Sequence, residues 1–297
     1  MPGAERYGRY TKPLPAPCAG LNKAGKWGVA FPAEFGTVTF VRFAFPRIAQ
    51  PMLALSLALS LLPMTPAATA LPPGFVQKTF MNEDGTTSPY VVYVPESYDA
   101  KKPLPVILFL HGAGESKGGG KMPIEQGLMN GHMQKQTKKF PAIVVIPQAE
   151  AMKTAVPGRW SAANPDGKRA MAMLDATIKE YSCDPNRQYL TGLSMGGFGT
   201  WSHAAAYPDR WACIVPICGG GNPADAEKIK DIPTWVFHGD ADGAVKVEQS
   251  RTMIEALRKA GAKPKYTEMA HVGHNSWDPA YAVDELYLWM FAQKKSK

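Results

Sequence analysis

The sequence predicts an α/β protein: a single domain with a mainly parallel sheet, helices on both faces and no large cap domain. Two observations carry this reading. Short, near-continuous apolar runs recur along the chain, among them Val106-Ile107-Leu108-Phe109-Leu110, Ala142 to Ile146, Cys213 to Ile217 and Trp235-Val236-Phe237, and segments with helical spacing separate them. Strands that are apolar at every position are buried on both sides, as in a parallel sheet between two helical layers. The second observation is Gly192-Leu193-Ser194-Met195-Gly196, a G-x-S-x-G sequence placed where a strand should pass into a helix.

The elements follow in order. Phe75 to Phe80 and Tyr90 to Val94 alternate in polarity and flank Asn82-Glu83-Asp84-Gly85, which reads as an antiparallel hairpin at the sheet edge. Val106 to Leu110 is a buried strand, Ile124 to Lys138 a helix despite Gly127 and Gly131, and Ala142 to Ile146 a strand. Lys168 to Tyr181 places Met171, Leu174, Ile178 and Tyr181 on one helical face. Arg187 to Thr191 is a strand, and Gly197 to Tyr207 a helix with Phe198, Trp201 and Ala205 at helical spacing. Cys213 to Ile217, Thr234 to Phe237 and Lys265 to Met269 are strands, separated by helices over Ala224 to Lys230 and Lys246 to Ala260. The last helix should start with Asp278 as N-cap and Pro279 as its first residue, burying Val283, Leu286, Tyr287 and Met290.

A serine on a sharp strand-to-helix turn has its Oγ pushed out of the sheet, and glycines beside it permit the backbone strain and close packing. An acid and a histidine follow Ser194. Asp242 lies in His238-Gly239-Asp240-Ala241-Asp242, after the apolar run ending at Phe237, and His274 closes His271-Val272-Gly273-His274. The three are separated by 48 and 32 residues, each in a loop after a strand, so they can meet on one sheet edge. Asp240 competes with Asp242 and reads as a turn residue, and His271 competes with His274. His111 and His238, at strand ends, read as structural; His132 and His203 read as solvated or helix-face residues.

Leu110-His111-Gly112-Ala113-Gly114, Gly192 to Gly197, His238 to Asp242 and Gly273-His274-Asn275-Ser276-Trp277 together resemble the α/β-hydrolases, from Leu71 to the C-terminus. The chain is most similar to secreted feruloyl and acetylxylan esterases and polyhydroxybutyrate depolymerase-like carboxylesterases, and also to dienelactone hydrolases. The resemblance implies a serine carboxylesterase working through an acyl-enzyme, with Ser194 as nucleophile, His274 as general base and acid, and Asp242 orienting the imidazole. It places the oxyanion hole at the backbone N–H groups of Ala113 and Met195. It implies no cofactor, and no C-x-x-C pair or histidine cluster points to a metal.

Only 16 residues separate Ile217 from Thr234, too few for a helical cap, so an open cleft suited to exposed, bulky or polysaccharide-linked esters is expected. The loop Glu115 to Pro123 could border it, and Trp160 and Trp277 are candidate substrate contacts. Two other readings stand beside the esterase: a serine peptidase of prolyl-oligopeptidase type, without room here for a propeller domain, and a non-catalytic binding protein on a hydrolase scaffold.

The net charge is +8, but residues 1–70 hold 7 basic and 2 acidic residues, leaving only +3 for the rest. With no basic stripe interleaved with aromatics, a nucleic-acid partner is not expected, and Lys135, Lys138 and Lys139 read as a solvated helix end. Met52 to Leu62 is an apolar run of 11 residues, too short to span a bilayer, with Arg42 and Arg47 before it and Ala68-Thr69-Ala70 after it. That is the pattern of a secretory signal peptide over residues 41–70. Residues 1–40 then form a disordered extension that need not be translated if initiation occurs at Val41, and the catalytic domain is 71–297, secreted or periplasmic. Secretion permits disulfides; a Cys183–Cys213 bridge and three buried thiols at Cys183, Cys213 and Cys218 remain equal alternatives.

Overall fold

The computed structural model describes residues 71–117, 123–129, 133, 140–150 and 158–295. The expected extension, the signal segment, His132 and Lys135, Lys138 and Lys139 lie outside the described residues, as does most of the Ile124 to Lys138 segment.

Eight strands form one sheet: β1 (Phe75–Met81), β2 (Thr87–Tyr93), β3 (Leu104–Leu110), β4 (Ile143–Pro147), β5 (Cys183–Leu193), β6 (Cys213–Ile217), β7 (Trp235–Gly239) and β8 (Lys265–Met269), in the spatial order β1-β2-β4-β3-β5-β6-β7-β8. The β1–β2 hairpin is antiparallel and β2 pairs antiparallel with β4; every pair from β4 to β8 is parallel. β5 is central and β1 and β8 are the edges. The α-helices are α1 (Pro165–Glu180), α2 (Met195–Ala206), α3 (Ala226–Ile229), α4 (Glu248–Lys259), α5 (Trp277–Tyr281) and α6 (Asp284–Ala292).

The strand periodicity of two divides β3 between two cores. Val106, Leu108 and Leu110 pack with Met171 and Leu174 of α1, Trp201 of α2 and Ile254 and Leu257 of α4. Ile107 and Phe109 pack on the other face with Tyr281 of α5 and Leu286, Tyr287 and Met290 of α6. The expected two-sided burial is therefore present. No helix among the described residues is long and apolar enough to cross a membrane.

Several boundaries differ from expectation. α1 begins three residues before Lys168, because Asn164 accepts a hydrogen bond from Asp166 N–H and Pro165 occupies the first turn. The Ile124 to Lys138 segment opens as a turn and a 3₁₀ helix over Gly127–Met129, with Gly127 at φ 65°. The final helix is two: α5 has Ser276, not Asp278, at its N-cap, and the extended backbone of Val283 separates it from α6. Cys183, Cys213 and Cys218 are free thiols. The register explains why no bridge joins Cys183 to Cys213: Cys183 lies beside Leu104, whereas Cys213 pairs with Tyr189, beside Ile107. Three residues along a strand is roughly 10 Å, beyond disulfide reach.

Candidate active site

Ser194 stands between β5 and α2 with φ 52° and ψ −115°, outside the regions open to an L-residue at low cost. Its neighbours hold it there. A Cβ on Gly196 would lie 1.8 Å from Leu110 O, so only glycine lets α2 start this close to β3. Ser194 N–H is taken up by Ile217 O at 3.0 Å, and its carbonyl accepts from Phe198 N–H at 3.1 Å. The hydroxyl is thus the group left free to project from the strand end.

Asp242 and His274 converge on it. Ser194 Oγ is 2.8 Å from His274 Nε2, and His274 Nδ1 is 2.7 Å from Asp242 Oδ2. A carboxylate beside Nδ1 requires the proton there, which leaves Nε2 to accept from the serine hydroxyl. Asp242 Oδ1 accepts from the N–H groups of Ala244 and Val245, each at 2.8 Å. Burial pushes the Asp242 carboxyl up, but the donors His274, Val245 and Ala244 outweigh it and hold the group below the usual aspartate range. The two competing residues fall elsewhere: Asp240 Oδ1 accepts from His271 N–H at 2.7 Å, joining the loop after β7 to the loop after β8, and His271 is exposed at φ 61°.

The loop after β3 abuts the serine, for a Cβ on Gly112 would sit 3.8 Å from Ser194 Cβ. Ala113 begins a 3₁₀ turn and Met195 begins α2, so neither N–H has an intrahelical acceptor. Buried Glu115 accepts from Gly112 N–H at 2.9 Å. His111 is structural, as expected: Nε2 accepts from Ala149 N–H at 3.0 Å, so Nδ1 carries the proton and donates to Gly112 O at 2.5 Å. Burial lowers this imidazole to about 4, so it is neutral at pH 7.

The two tryptophans separate. Trp160 is a correction: it is fully buried, with its ring edge-on to His111 at 5.0 Å and Nε1–H donating to His111 O at 2.9 Å. It braces the loop from beneath and presents no surface to a ligand. Trp277 is half-buried and meets the His274 ring edge-on, centroids 5.3 Å apart. His203 is also corrected, since it is fully buried on α2 and stacked on Tyr207.

Three relevant neighbours escaped the sequence reading. Tyr281 of α5 lies 2.8 Å from the hydroxyl of Thr191, which itself donates to Val215 O at 2.7 Å. This ties the segment after His274 to the strand that carries Ser194. Cys218, at φ 40°, brings its Sγ, an Asp242 oxygen and a His274 nitrogen within 4.8 Å of one another. Among the described residues this is the grouping able to hold a metal. Asp242 and His274 already satisfy each other, however, and burial pushes the Cys218 thiol up to about 12, so it is no ready thiolate. The strand order β5-β6-β7 was the signal for its proximity, as the first residue after β6 must face the ends of both neighbours. The third neighbour is Ser250 of α4, 2.7 Å from His238 Nδ1.

Sheet, elbow and hydrogen-bonded Ser–His–Asp series define an α/β-hydrolase. The chain belongs to the Esterase family ("Putative esterase"), whose model matches residues 83–275. It is 32% identical to poly(3-hydroxyalkanoate) depolymerase C of Paucimonas lemoignei over 135 residues, 43% of this chain and 30% of the relative. It is 26% identical to a bifunctional acetylxylan esterase/xylanase of Neocallimastix patriciarum over 182 residues, 60% of this chain and 25% of the relative. The chain thus spans a third or less of the length of these curated relatives. Among solved structures, a thermostable esterase superposes with a TM-score of 0.65 at 32% identity, covering 75% of this chain and 64% of that one.

Proposed function

We propose that the protein is a secreted serine carboxylic-ester hydrolase that works through an acyl-enzyme. The observation that carries this is the unbroken series Asp242 Oδ2, His274 Nδ1, His274 Nε2 and Ser194 Oγ, with links of 2.7 and 2.8 Å, ending on a strained elbow. Ser194 Oγ attacks the ester carbonyl while His274 Nε2 takes its proton. The N–H groups of Ala113 and Met195 receive the oxyanion. His274 then protonates the departing alcohol, and water repeats the sequence to release the acid. Asp242 keeps its negative charge throughout and stabilises the imidazolium.

The substrate we favour is an exposed ester on a polymer, such as an acyl group on a polysaccharide. The connection from β6 to β7 holds only a 3₁₀ turn at Pro223–Asp225 and α3, so that connection supplies no lid. The relatives named above include an acetylxylan esterase and a polyester depolymerase, which act on chains. Trp277, beside His274, is the aromatic surface placed to meet the substrate. Secretion rests on the 41–70 segment, and N-terminal sequencing of the exported protein should begin near Leu71.

The test is hydrolysis of a ladder of nitrophenyl esters, methyl ferulate and acetylated xylan by the wild type and Ser194→Ala. Activity that disappears in the variant supports the reading. Cleavage of a proline-containing chromogenic peptide in preference to every ester would make the protein a peptidase, and folded protein inert on all of them would make it a binder.

A further inference from the structure

We propose that His238, a residue outside the Ser–His–Asp series, is a positioning residue for the acid: its imidazole hydrogen-bonds the turn that holds Asp242 and lies against Oδ2. The inference rests on the serine-hydrolase reading above and deepens it. His238 is the penultimate residue of β7, is fully buried, and is four residues from Asp242. Its Nε2 lies 2.9 Å from Val245 O and 3.2 Å from Asp242 Oδ2. Both neighbours are acceptors, so Nε2 carries a proton; it is donated to Val245 O, the nearer, and Asp242 Oδ2 is a close contact of the same N–H. The same turn returns Val245 N–H to Asp242 Oδ1. One imidazole therefore fixes the carbonyl of the residue whose amide fixes the carboxylate.

The other side of the ring is held from a different layer. Nδ1 lies 2.7 Å from the hydroxyl of Ser250 on α4, and that hydroxyl is 3.2 Å from Gly219 O, in the loop after β6. With Nε2 protonated, Nδ1 accepts the single proton of the Ser250 hydroxyl, so His238 couples the acid loop to α4. A buried carboxylate that serves as hydrogen-bond acceptor needs a fixed direction, because any rotation moves Oδ2 off Nδ1 of His274. The polarised Nε2–H also draws electron density on Oδ2 away from His274. Withdrawing it should leave more of the carboxylate's charge for His274, which favours the imidazolium.

The charged and titratable groups around this pair are few. Glu268 of β8 is the register partner of His238 and is paired with Arg251 of α4, and Cys218 lies beside Asp242 and His274. None of them is altered by the variants below.

The experiment compares His238→Asn, His238→Gln and Ser250→Ala in steady-state hydrolysis of a nitrophenyl ester from pH 5 to 9, with thermal melts to establish folding. Asparagine keeps an amide near the Nδ1 position and removes the donor to Val245 O beside Asp242; glutamine returns a donor near the Nε2 position. For His238→Asn the expected result is a fall in kcat of about 10- to 100-fold with KM unchanged, the scale of a buried acceptor, Val245 O, left unpaired in the turn that holds the acid. The acid limb of kcat/KM should move upward by about 0.5–1 pH unit, corresponding to part of that interaction. Glutamine should restore most of both. Ser250→Ala, which leaves the imidazole in place, should move the limb in the same direction by less. Equal losses in the asparagine and glutamine variants with an unmoved limb would overturn the inference and leave His238 as packing. If His238→Asn does not fold, an unmoved limb in Ser250→Ala overturns it. Full activity in Ser194→Ala would instead refute the serine mechanism beneath it.

Discussion

The backbone at Ser194 is the sharpest place to test the reasoning. A non-glycine residue at φ 52° and ψ −115° carries a conformational cost of about 1–3 kcal/mol. Ser194→Gly removes that cost but adds about 0.5–1 kcal/mol of chain entropy lost on folding. Ser194→Ala keeps the strained Cβ. Both variants lose the hydroxyl and its 2.8 Å contact with His274, so their difference isolates the backbone. Ser194→Gly should therefore be more stable than Ser194→Ala by up to about 2.5 kcal/mol. Urea melts followed by tryptophan fluorescence read this as a higher midpoint at equal m-value. In a thermal melt the same difference amounts to up to about 10 °C for a domain of this size. A glycine variant less stable than the alanine variant by the full entropy cost of about 0.5–1 kcal/mol would show that the elbow stores no strain.

Asp242→Asn should lower kcat about 10⁴-fold, because the amide no longer holds the required tautomer of His274, whereas Asp240→Asn, which weakens only the link to His271 N–H, should cost far less activity; the reverse ranking in ester hydrolysis would reassign the acid. Trp160→Phe leaves buried His111 O without its donor, so a stability loss of about 1–3 kcal/mol is expected in urea melts, with any kinetic effect on kcat rather than KM; an effect on KM alone would return Trp160 to the substrate side. Glu268 is held at about 2, chiefly by its hydrogen bonds from Arg251 and then from Tyr266. A depressed folded-state value stabilises above the unfolded carboxyl's range, so that stability should fade as the pH drops from about 4.5 towards 2, and Arg251→Ala should flatten this part of the acid melt. Cys213 and Cys218 should resist alkylation in the native protein and react after unfolding, as mass mapping would show, because both are fully buried and burial pushes both thiols up.

The apolar runs at Val106 to Leu110, Ala142 to Ile146 and Cys213 to Ile217 were legible because a strand buried on both faces has no polar position to disguise it. Ser194, Asp242 and His274 were legible for a related reason: each directly follows a strand of a parallel sheet, and such strand ends share one edge. Trp160 was not. A tryptophan in a loop reads as exposed until the fold lays it beneath His111, a contact across 49 residues. The start of α1 was written in Asn164 and Pro165, but the apolar periodicity used to place the helix begins later, at Ala170 and Met171. The break before α6 carries no proline or glycine, and Val283 continues the helical stripe in sequence while its backbone is extended. His238 could be seen as a strand-end histidine, but its partner Ser250 becomes apparent only when α4 folds back over β7.

The two halves of the proposed chemistry hang from strands of unequal standing. Ser194 caps β5, which is paired on both sides and buried along its last six residues. His274 follows β8, an edge strand paired only to β7 and with no fully buried residue. Fraying at that edge is the least costly opening available to the sheet, and it would carry the base away while the nucleophile stayed in place. Inactivation by mild denaturant should then come before loss of the fold and reverse on dilution: the enzyme would be disarmed from its margin inward.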